Sequence, residues 1–328
     1  MSTTLAAAIN LTKLCVGSGI LALPFATTKG GLLFSPIGIA VVALWNGIAC
    51  NMIMRCKRAV EGRAVLYNSL ISSTYSRIAY AGTGWVGVYV IDMSIIITLL
   101  GVCITYQIAF STLLKDVITL SHRSLTIVSG ILVFPLSGFT ANIGLLSKYS
   151  LLGLLLLVLG ILSIFCFGLG TYGNTIEYTA QGVHVNYWPR SLNDLTTYTG
   201  VTIFCFGLCS LAFPVEESMS NKSEFNKAVI YCLIFVWLLY TLVGDGLAIL
   251  YSFDPNGVSS NILQNLPPHS WTALFVRLSM GSVSILTFPL TLVPVSQMIE
   301  NLIIQNFTSP RKLYQPIGDG MPGSGKVC

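Results

Sequence analysis

The chain of 328 residues is strongly apolar, since 54% of its residues are hydrophobic, only 9% are charged and the mean hydropathy is +0.77. A soluble fold is excluded, because globular domains carry about 25% charged residues to supply their polar surface. The net charge of +5 is spread thinly along the sequence and does not indicate a nucleic-acid partner. We therefore expect the protein to be surrounded by a lipid bilayer.

Eight apolar stretches are long enough to cross a membrane as helices. A hydrocarbon core about 30 Å thick needs roughly 20 helical residues. Ten-residue segments of alternating polarity, which are typical of membrane barrels, are absent from the sequence, so we predict an all-α, multi-pass membrane protein. In chain order the predicted spans are Leu5–Thr28, Leu32–Met54, Val86–Leu114, Leu125–Thr140, Leu151–Leu169, Thr199–Ser218, Ala228–Tyr251 and Trp271–Ile304.

The basic residues predict the orientation of these spans. Most Lys and Arg residues, including Arg55, Lys57 and Lys227, lie in loops that are predicted to share one side of the membrane with the amino terminus. Because basic loops remain cytoplasmic, the amino terminus is predicted to be cytoplasmic. The sequence leaves open whether the membrane is the plasma membrane or a vacuolar or lysosomal one.

The first and sixth spans contain matching interruptions. The first reads Val-Gly-Ser-Gly-Ile over residues 16–20 and then has Pro24, while the sixth has Gly207, Cys209 and Pro214. Glycines in a membrane helix favour an unwound segment whose free main-chain groups suit a charged solute, although small residues also serve close helix packing. Paired interruptions five spans apart are typical of inverted-repeat transporters.

Four segments resemble the amino acid/auxin permease family of transmembrane amino acid transporters. Residues 10–26, NLTKLCVGSGILALPFA, are similar to the family's first helix and its signature Gly-x-Gly-Ile-Leu-x-Leu-Pro. Phe206–Met219 resembles the family's sixth helix. Phe253–Leu263 resembles the loop after its seventh helix, and Val276–Pro294 resembles its eighth helix. The resemblance implies a broken-helix, inverted-repeat fold of the amino acid-polyamine-organocation type and secondary transport of small neutral amino acids.

The resemblance also implies where a zwitterionic solute binds. The backbone amides of Gly17, Ser18 and Gly19 are expected to hold its α-carboxylate, and freed carbonyls around Phe206 and Gly207 its α-ammonium. The candidates for selectivity towards the solute's side chain are Phe206, Cys209, Tyr106 and Ser284. The two aromatic residues among them are also interpretable as packing residues.

Lys13 bears on the coupling ion. Sodium-coupled members of the family have an Asn at this position, one turn before Gly17, and a hydroxyl of helix eight, here Thr287, completes their ion site. An ammonium group in place of sodium favours sodium-independent, proton-linked transport. The alternative interpretation is that Lys13 extends to the membrane interface.

The residue that takes the proton is less well defined. Proton-coupled members of the family often have a Glu in helix six where this chain has Gly207. Acidic residues within membrane spans are functional candidates by default, which points to Asp92 and Asp245, with solvation at the interface as the alternative. At the inner end of the sixth span, Glu216 is predicted to act in a gate, with a solvated position at the interface as the alternative.

The family has about eleven helices, so the second repeat is predicted to be truncated after the eighth span. We expect a transporter domain over residues 1–304 and a disordered cytoplasmic tail over 305–328. The three histidines offer no catalytic or metal constellation, so we predict a protein that is not an enzyme and uses no cofactor. A sodium-coupled symporter, an amino acid sensor and an inactive fragment remain the alternatives.

Overall fold

The computed structural model describes residues 3–61, 73–115, 143–178 and 186–267, together with parts of 121–131 and of 271–300. These residues are mostly helical, as the sequence predicts. The helices are α1 Thr4–Cys15, α2 Leu23–Gly30, α3 Phe34–Val60, α4 Thr74–Thr83, α5 Trp85–Lys115, α6 Ile143–Tyr178, α7 Leu192–Phe204, α8 Ala212–Ser218 and α9 Phe225–Tyr251, with short 3-10 turns at Ser18–Ala22, Leu208–Leu211, Lys222–Glu224 and Ile262–Asn265.

Within the described residues, four helices are long and apolar enough to cross a membrane. They correspond to the second, third, fifth and seventh predicted spans. Large apolar side chains such as Trp45, Ile97 and Leu242 are exposed on them, as expected of helix faces that contact lipid tails. The four segments are Phe34–Val60, Trp85–Thr112, Leu155–Gly173 and Lys222–Tyr251.

The bounds of several predicted spans were wrong, and two spans are only partly described. The second span was expected to end at Met54 with Lys57 in a loop, yet α3 continues to Val60 and Lys57 is buried within it. Two carboxylates near the ammonium group make this burial tolerable. Helix α6 extends beyond the fifth predicted span at both ends. The predicted spans Leu125–Thr140 and Trp271–Ile304 lie partly outside the described residues.

Helix α9 is the central helix of the bundle. Val236, Tyr240, Leu247 and Tyr251 on it are almost completely buried. It packs against α1 and α2, which are the two halves of the interrupted first span, and also against α3 and α6. A continuous helix therefore supports both sides of the first interruption.

Tyr198 joins α7 to the first two spans. Its ring lies against Gly30 and Gly38, where an added Cβ would approach ring atoms to 2.5 and 2.6 Å, and its hydroxyl donates to the Ser35 carbonyl at 2.7 Å. Both glycines are needed to admit the ring, because a methyl group has no space there. This contact places α7 beside α2 and so brings the interrupted spans together.

Candidate functional site

The first interruption begins where α1 ends, at Cys15. The Val16 N–H donates to Thr12 O at 2.8 Å, but Val16 (φ −81°, ψ 92°) and Gly17 (φ −126°, ψ −162°) then have extended backbones. A 3-10 turn starts at Ser18, and its Ile20 N–H donates to Gly17 O at 3.2 Å. The first N–H groups of such a turn lack helical partners, so this segment can donate to an anionic group.

The second interruption lies in the sixth span. Helix α7 ends at Phe204, and the Phe206 N–H closes a tight turn onto Ile203 O at 3.1 Å. Gly207 (φ −81°, ψ 20°) leads into a 3-10 turn, and the chain becomes α-helical again at Ala212. The last carbonyls of a helix lack helical donors, so this segment can accept from a cationic group.

The two interruptions touch each other. A Cβ added to Gly19 would lie 3.0 Å from Cys205 Sγ and 3.3 Å from Phe204 Cδ1. On the other side, a Cβ at Gly17 would lie 3.5 Å from the hydroxyl oxygen of Tyr106, which belongs to α5. The structure thus brings the glycine segment of the first span together with the end of α7 and with one of the predicted selectivity residues.

Tyr240, which the sequence analysis missed, links the two interruptions. Its hydroxyl oxygen is 2.6 Å from Cys15 O and 2.9 Å from Cys205 O, and the side chain is fully buried. Its ring meets the Phe206 ring edge to face, with centroids 5.4 Å apart. A tyrosine in the middle of an apolar span was the available signal, because a buried tyrosine hydroxyl requires a partner.

Cys209 lies on the far side of the second interruption, towards α3 and α4. Its carbonyl accepts a hydrogen bond from the Tyr75 hydroxyl, and its sulfur lies 3.7 Å from Asn46 Oδ1. The ring of Tyr75 packs on Phe213, with centroids 4.3 Å apart. Tyr75 and Asn46 therefore border the same turn, although the sequence did not single them out. The predicted residues Ser284 and Thr287 lie outside the described residues.

The predicted ion-coupling residues occupy three different places. Lys13 is half-buried in the last turn of α1, one turn before the interruption. Asp245 on α9 accepts a hydrogen bond at 3.2 Å from Thr27 of α2. Asp92 is buried between α5 and α4, where the Ser76 hydroxyl donates to it at 2.6 Å. Lys13 and Asp245 thus contact or adjoin the interrupted first span, whereas Asp92 packs against α4.

Ion pairs connect elements at both ends of the bundle. At the end of the bundle where α1 begins, the predicted gate residue Glu216 forms a buried pair with Lys57, with Oε2 and Nζ 2.6 Å apart. At the opposite end, Lys29 lies 3.3 Å from the Asp194 carboxylate. The Ser191 hydroxyl and then Lys29 hold the pKa of Asp194 below its usual range. Both pairs join one half of an interrupted span to another element.

An apolar cavity of about 540 Å³ lies elsewhere, between α3 and α9. Its lining includes Ala43, Gly47, Leu233 and Trp237, and none of the predicted site residues. Among the side chains that the structure describes, no group of three or more His, Cys, Asp or Glu residues is arranged to hold a metal ion. The candidate site is therefore the region between the two interruptions.

Comparison with known proteins agrees with this architecture. Residues 1–317 match the family described as transmembrane amino acid transporter protein, and the chain belongs to that family of membrane transporters. The resemblance found in the sequence is thereby confirmed.

Named amino acid transporters are among the relatives. The chain is 24% identical to vacuolar amino acid transporter 7 of Saccharomyces cerevisiae, over 92% of this chain and 60% of that protein. It is 26% identical to vacuolar amino acid transporter 4 of the same yeast, over 97% and 44%. It is 24% identical to amino acid transporter ANT1 of Arabidopsis thaliana, over 89% and 66%. The chain spans less than two thirds of the length of each of these three relatives.

Proposed function

We propose that this chain forms the solute site of a secondary active transporter that carries small neutral amino acids across a membrane by alternating access. The observation that supports this most directly is the contact between the two interruptions, Gly17–Gly19 and Phe204–Gly207. One supplies N–H groups at the start of a 3-10 turn and the other supplies main-chain carbonyls at a helix end, and a zwitterion needs both kinds of group. The names of the relatives support an amino acid as the solute.

In the proposed complex, the α-carboxylate binds the amides of Gly17, Ser18 and Gly19. The α-ammonium binds carbonyls near Phe206 and Gly207. The Tyr106 hydroxyl lies so close to Gly17 that a single added carbon atom, a Cβ, would already be in ordinary contact with it. This limited space beside Gly17 supports a small solute. The Phe206 ring, which is buried against Tyr240, would form an apolar wall for a neutral side chain.

The proposed coupling ion is the proton, and Asp245 is the proposed carrier. Its carboxylate accepts from the Thr27 hydroxyl, which also lies 3.0 Å from the Ser35 hydroxyl. Protonation would weaken the charge-assisted bond to Thr27 and so loosen α2 from α9. Asp92 is the weaker candidate, because its contact with Ser76 joins α4 and α5 and involves neither interruption.

The proposed transport cycle opens each end of the bundle in turn. The Lys57–Glu216 pair joins α3 to α8, which is the second half of the sixth span, and it must separate for that half to move. The Lys29–Asp194 pair joins α2 to α7 at the other end. In the proposed inverted repeat, the α1–α2 pair of half-helices corresponds to the α7–α8 pair.

Uptake into proteoliposomes tests this proposal. The purified protein is reconstituted, and entry of radiolabelled L-alanine is measured first under an imposed pH gradient and then under an imposed sodium gradient. Accumulation that requires the pH gradient supports the proposal. Accumulation driven only by sodium would identify a sodium-coupled symporter instead. Saturable alanine binding without accumulation under either gradient would indicate a sensor or an inactive fragment.

A further inference from the structure

The hydroxyl of Tyr240 lies between two main-chain carbonyls that belong to different interrupted spans. Cys15 ends α1, and Cys205 follows the end of α7. Both carbonyl oxygens are within hydrogen-bonding distance of the same phenol oxygen, at 2.6 and 2.9 Å. A buried carbonyl at a helix end needs a donor from elsewhere, and here one side chain serves both ends.

A tyrosine hydroxyl has a single proton, so it donates fully to one of these carbonyls at a time. A shift of either helix end that improves one hydrogen bond weakens the other. The edge-to-face contact with Phe206, at an interplanar angle of 77°, fixes the ring from the side of the second interruption. The position of each interruption therefore depends on that of the other through Tyr240.

We infer that Tyr240 is a positioning residue that keeps the two interruptions in register, so that the N–H groups of one and the carbonyls of the other form a single solute site. The inference rests on the proposed function in assuming that both interruptions bind the same solute. Tyr240 need not contact the solute, and it acts through the main chain at Cys15 and Cys205.

Tyr251 provides a matched control on the same helix. It is also fully buried, and its hydroxyl donates to a main-chain carbonyl, Ile164 O, at 3.0 Å. Ile164 lies inside the continuous helix α6. The two tyrosines thus share residue type, helix and burial, and they differ in whether the carbonyl partner belongs to an interrupted span.

The first experiment compares Tyr240→Phe with Tyr251→Phe in proteoliposomes. Phenylalanine keeps the ring packing and removes only the hydroxyl. We expect Tyr240→Phe to raise the KM for L-alanine about tenfold with little change in maximal rate, because the site is less well organised before binding. Tyr251→Phe should leave the KM within about twofold of wild type. An unchanged KM in Tyr240→Phe, or equal increases in both variants, would overturn the inference.

The second experiment does not depend on transport. Hydrogen–deuterium exchange of the purified protein measures opening of the segments 16–20 and 205–211. We expect Tyr240→Phe to accelerate exchange in both segments together, while Tyr251→Phe leaves both at the wild-type rate. Acceleration in neither segment, or in one alone, would contradict the coupling. If both segments respond but wild-type vesicles neither bind nor accumulate alanine, the proposed function fails and the link through Tyr240 stands.

Discussion

Lys57 and Glu216 form a buried ion pair, with 2.6 Å between Nζ and Oε2, that joins α3 to α8. The ammonium group has two further carboxylate neighbours, Glu217 at 3.1 Å and Glu61 at 3.8 Å, both about half exposed. It also lies 5.2 Å from the centre of the Phe213 ring. One buried cation is thus shared by several acids, whereas the buried acid Glu216 depends on Lys57.

This arrangement predicts that the two single neutralisations differ in cost. Lys57→Met leaves the Glu216 carboxylate buried without its cation, and we expect a loss of about 3 kcal/mol in the free energy of unfolding. Glu216→Gln leaves Lys57 paired with Glu217, so the expected loss is smaller, about 1 kcal/mol. Thermal unfolding in detergent measures both variants.

A double variant and an exposed pair serve as controls for this prediction. Lys57→Met combined with Glu216→Leu should recover most of the stability lost in Lys57→Met, because no unpaired buried charge remains. Lys227→Gln removes an exposed pair with Glu224 and should have no measurable effect. Equal losses from Lys57→Met and Glu216→Gln would refute the proposed asymmetry.

The glycines of the first interruption should differ in their tolerance of alanine. Gly19→Ala pushes a methyl group to within 3.0 Å of Cys205 Sγ, so we expect uptake efficiency to fall at least about tenfold. Gly17→Ala makes only an ordinary contact with Tyr106 and should stay within about threefold of wild type. Gly17→Val, whose extra methyl groups enter the proposed carboxylate position, should abolish uptake without loss of protein.

Gly101→Ala is the control for this series, because it lies in α5 with no atom near its added Cβ. The readouts are kcat/KM for L-alanine and the amount of folded protein in the vesicles. Wild-type uptake by Gly19→Ala or by Gly17→Val would show that the glycine segment is not part of the solute site.

Asp245→Asn should uncouple alanine transport from the pH gradient that drives it. The amide keeps the shape of the side chain and can still accept from Thr27, but it cannot take up a proton. We expect accumulation driven by a pH gradient to fall by about tenfold or more, while exchange of internal for external alanine continues. Asp92→Asn, a buried acid bonded to Ser76, is the matched control and should retain coupling. Loss of coupling in Asp92→Asn alone would reverse the assignment.

Lys13→Asn should alter ion dependence more than affinity. The change removes a cation one turn before the first interruption. In the proton-linked hypothesis, the Lys13 ammonium group occupies the position that a sodium ion takes in sodium-coupled members of the family. We expect uptake by the variant to depend less on the pH gradient, with the KM for alanine within about threefold of wild type. Lys227→Gln, which removes an exposed cation paired with Glu224, is the control. An unchanged pH profile for Lys13→Asn would argue against a coupling role.

The Lys29–Asp194 pair predicts a dependence of stability on pH. The Ser191 hydroxyl and Lys29 lower the pKa of Asp194 in the folded protein. The stabilisation is therefore complete above the unfolded pKa of about 3.9 and disappears as the pH falls through the lower folded value. Asp194→Asn should lower the Tm slightly at neutral pH, and the difference should shrink below about pH 4. A constant difference in Tm from pH 7 to pH 3 would exclude this linkage.

Several features of the fold were predictable from the sequence because they depend on local composition. Long runs without charge predict membrane helices, and the second, third, fifth and seventh spans are present as continuous helices. Glycine and proline weaken a helix wherever it packs, so the interruptions near Gly17 and Gly207 were also predictable. The ends of α3 and α6 were not, because helical hydrogen bonding continues past the apolar run.

The sequence by itself determined that the protein lies in a lipid bilayer, that its fold is all-α, which family it belongs to and where the two interruptions lie. Each of these depends on residues close together in the chain. The tertiary structure alone decided which groups meet across those interruptions. Tyr240 reaches Cys15 and Cys205 over 225 and 35 residues of sequence separation, and Lys57 reaches Glu216 over 159. Such partners depend on which helix faces pack together, and the apolar composition of a membrane span does not distinguish one face from another.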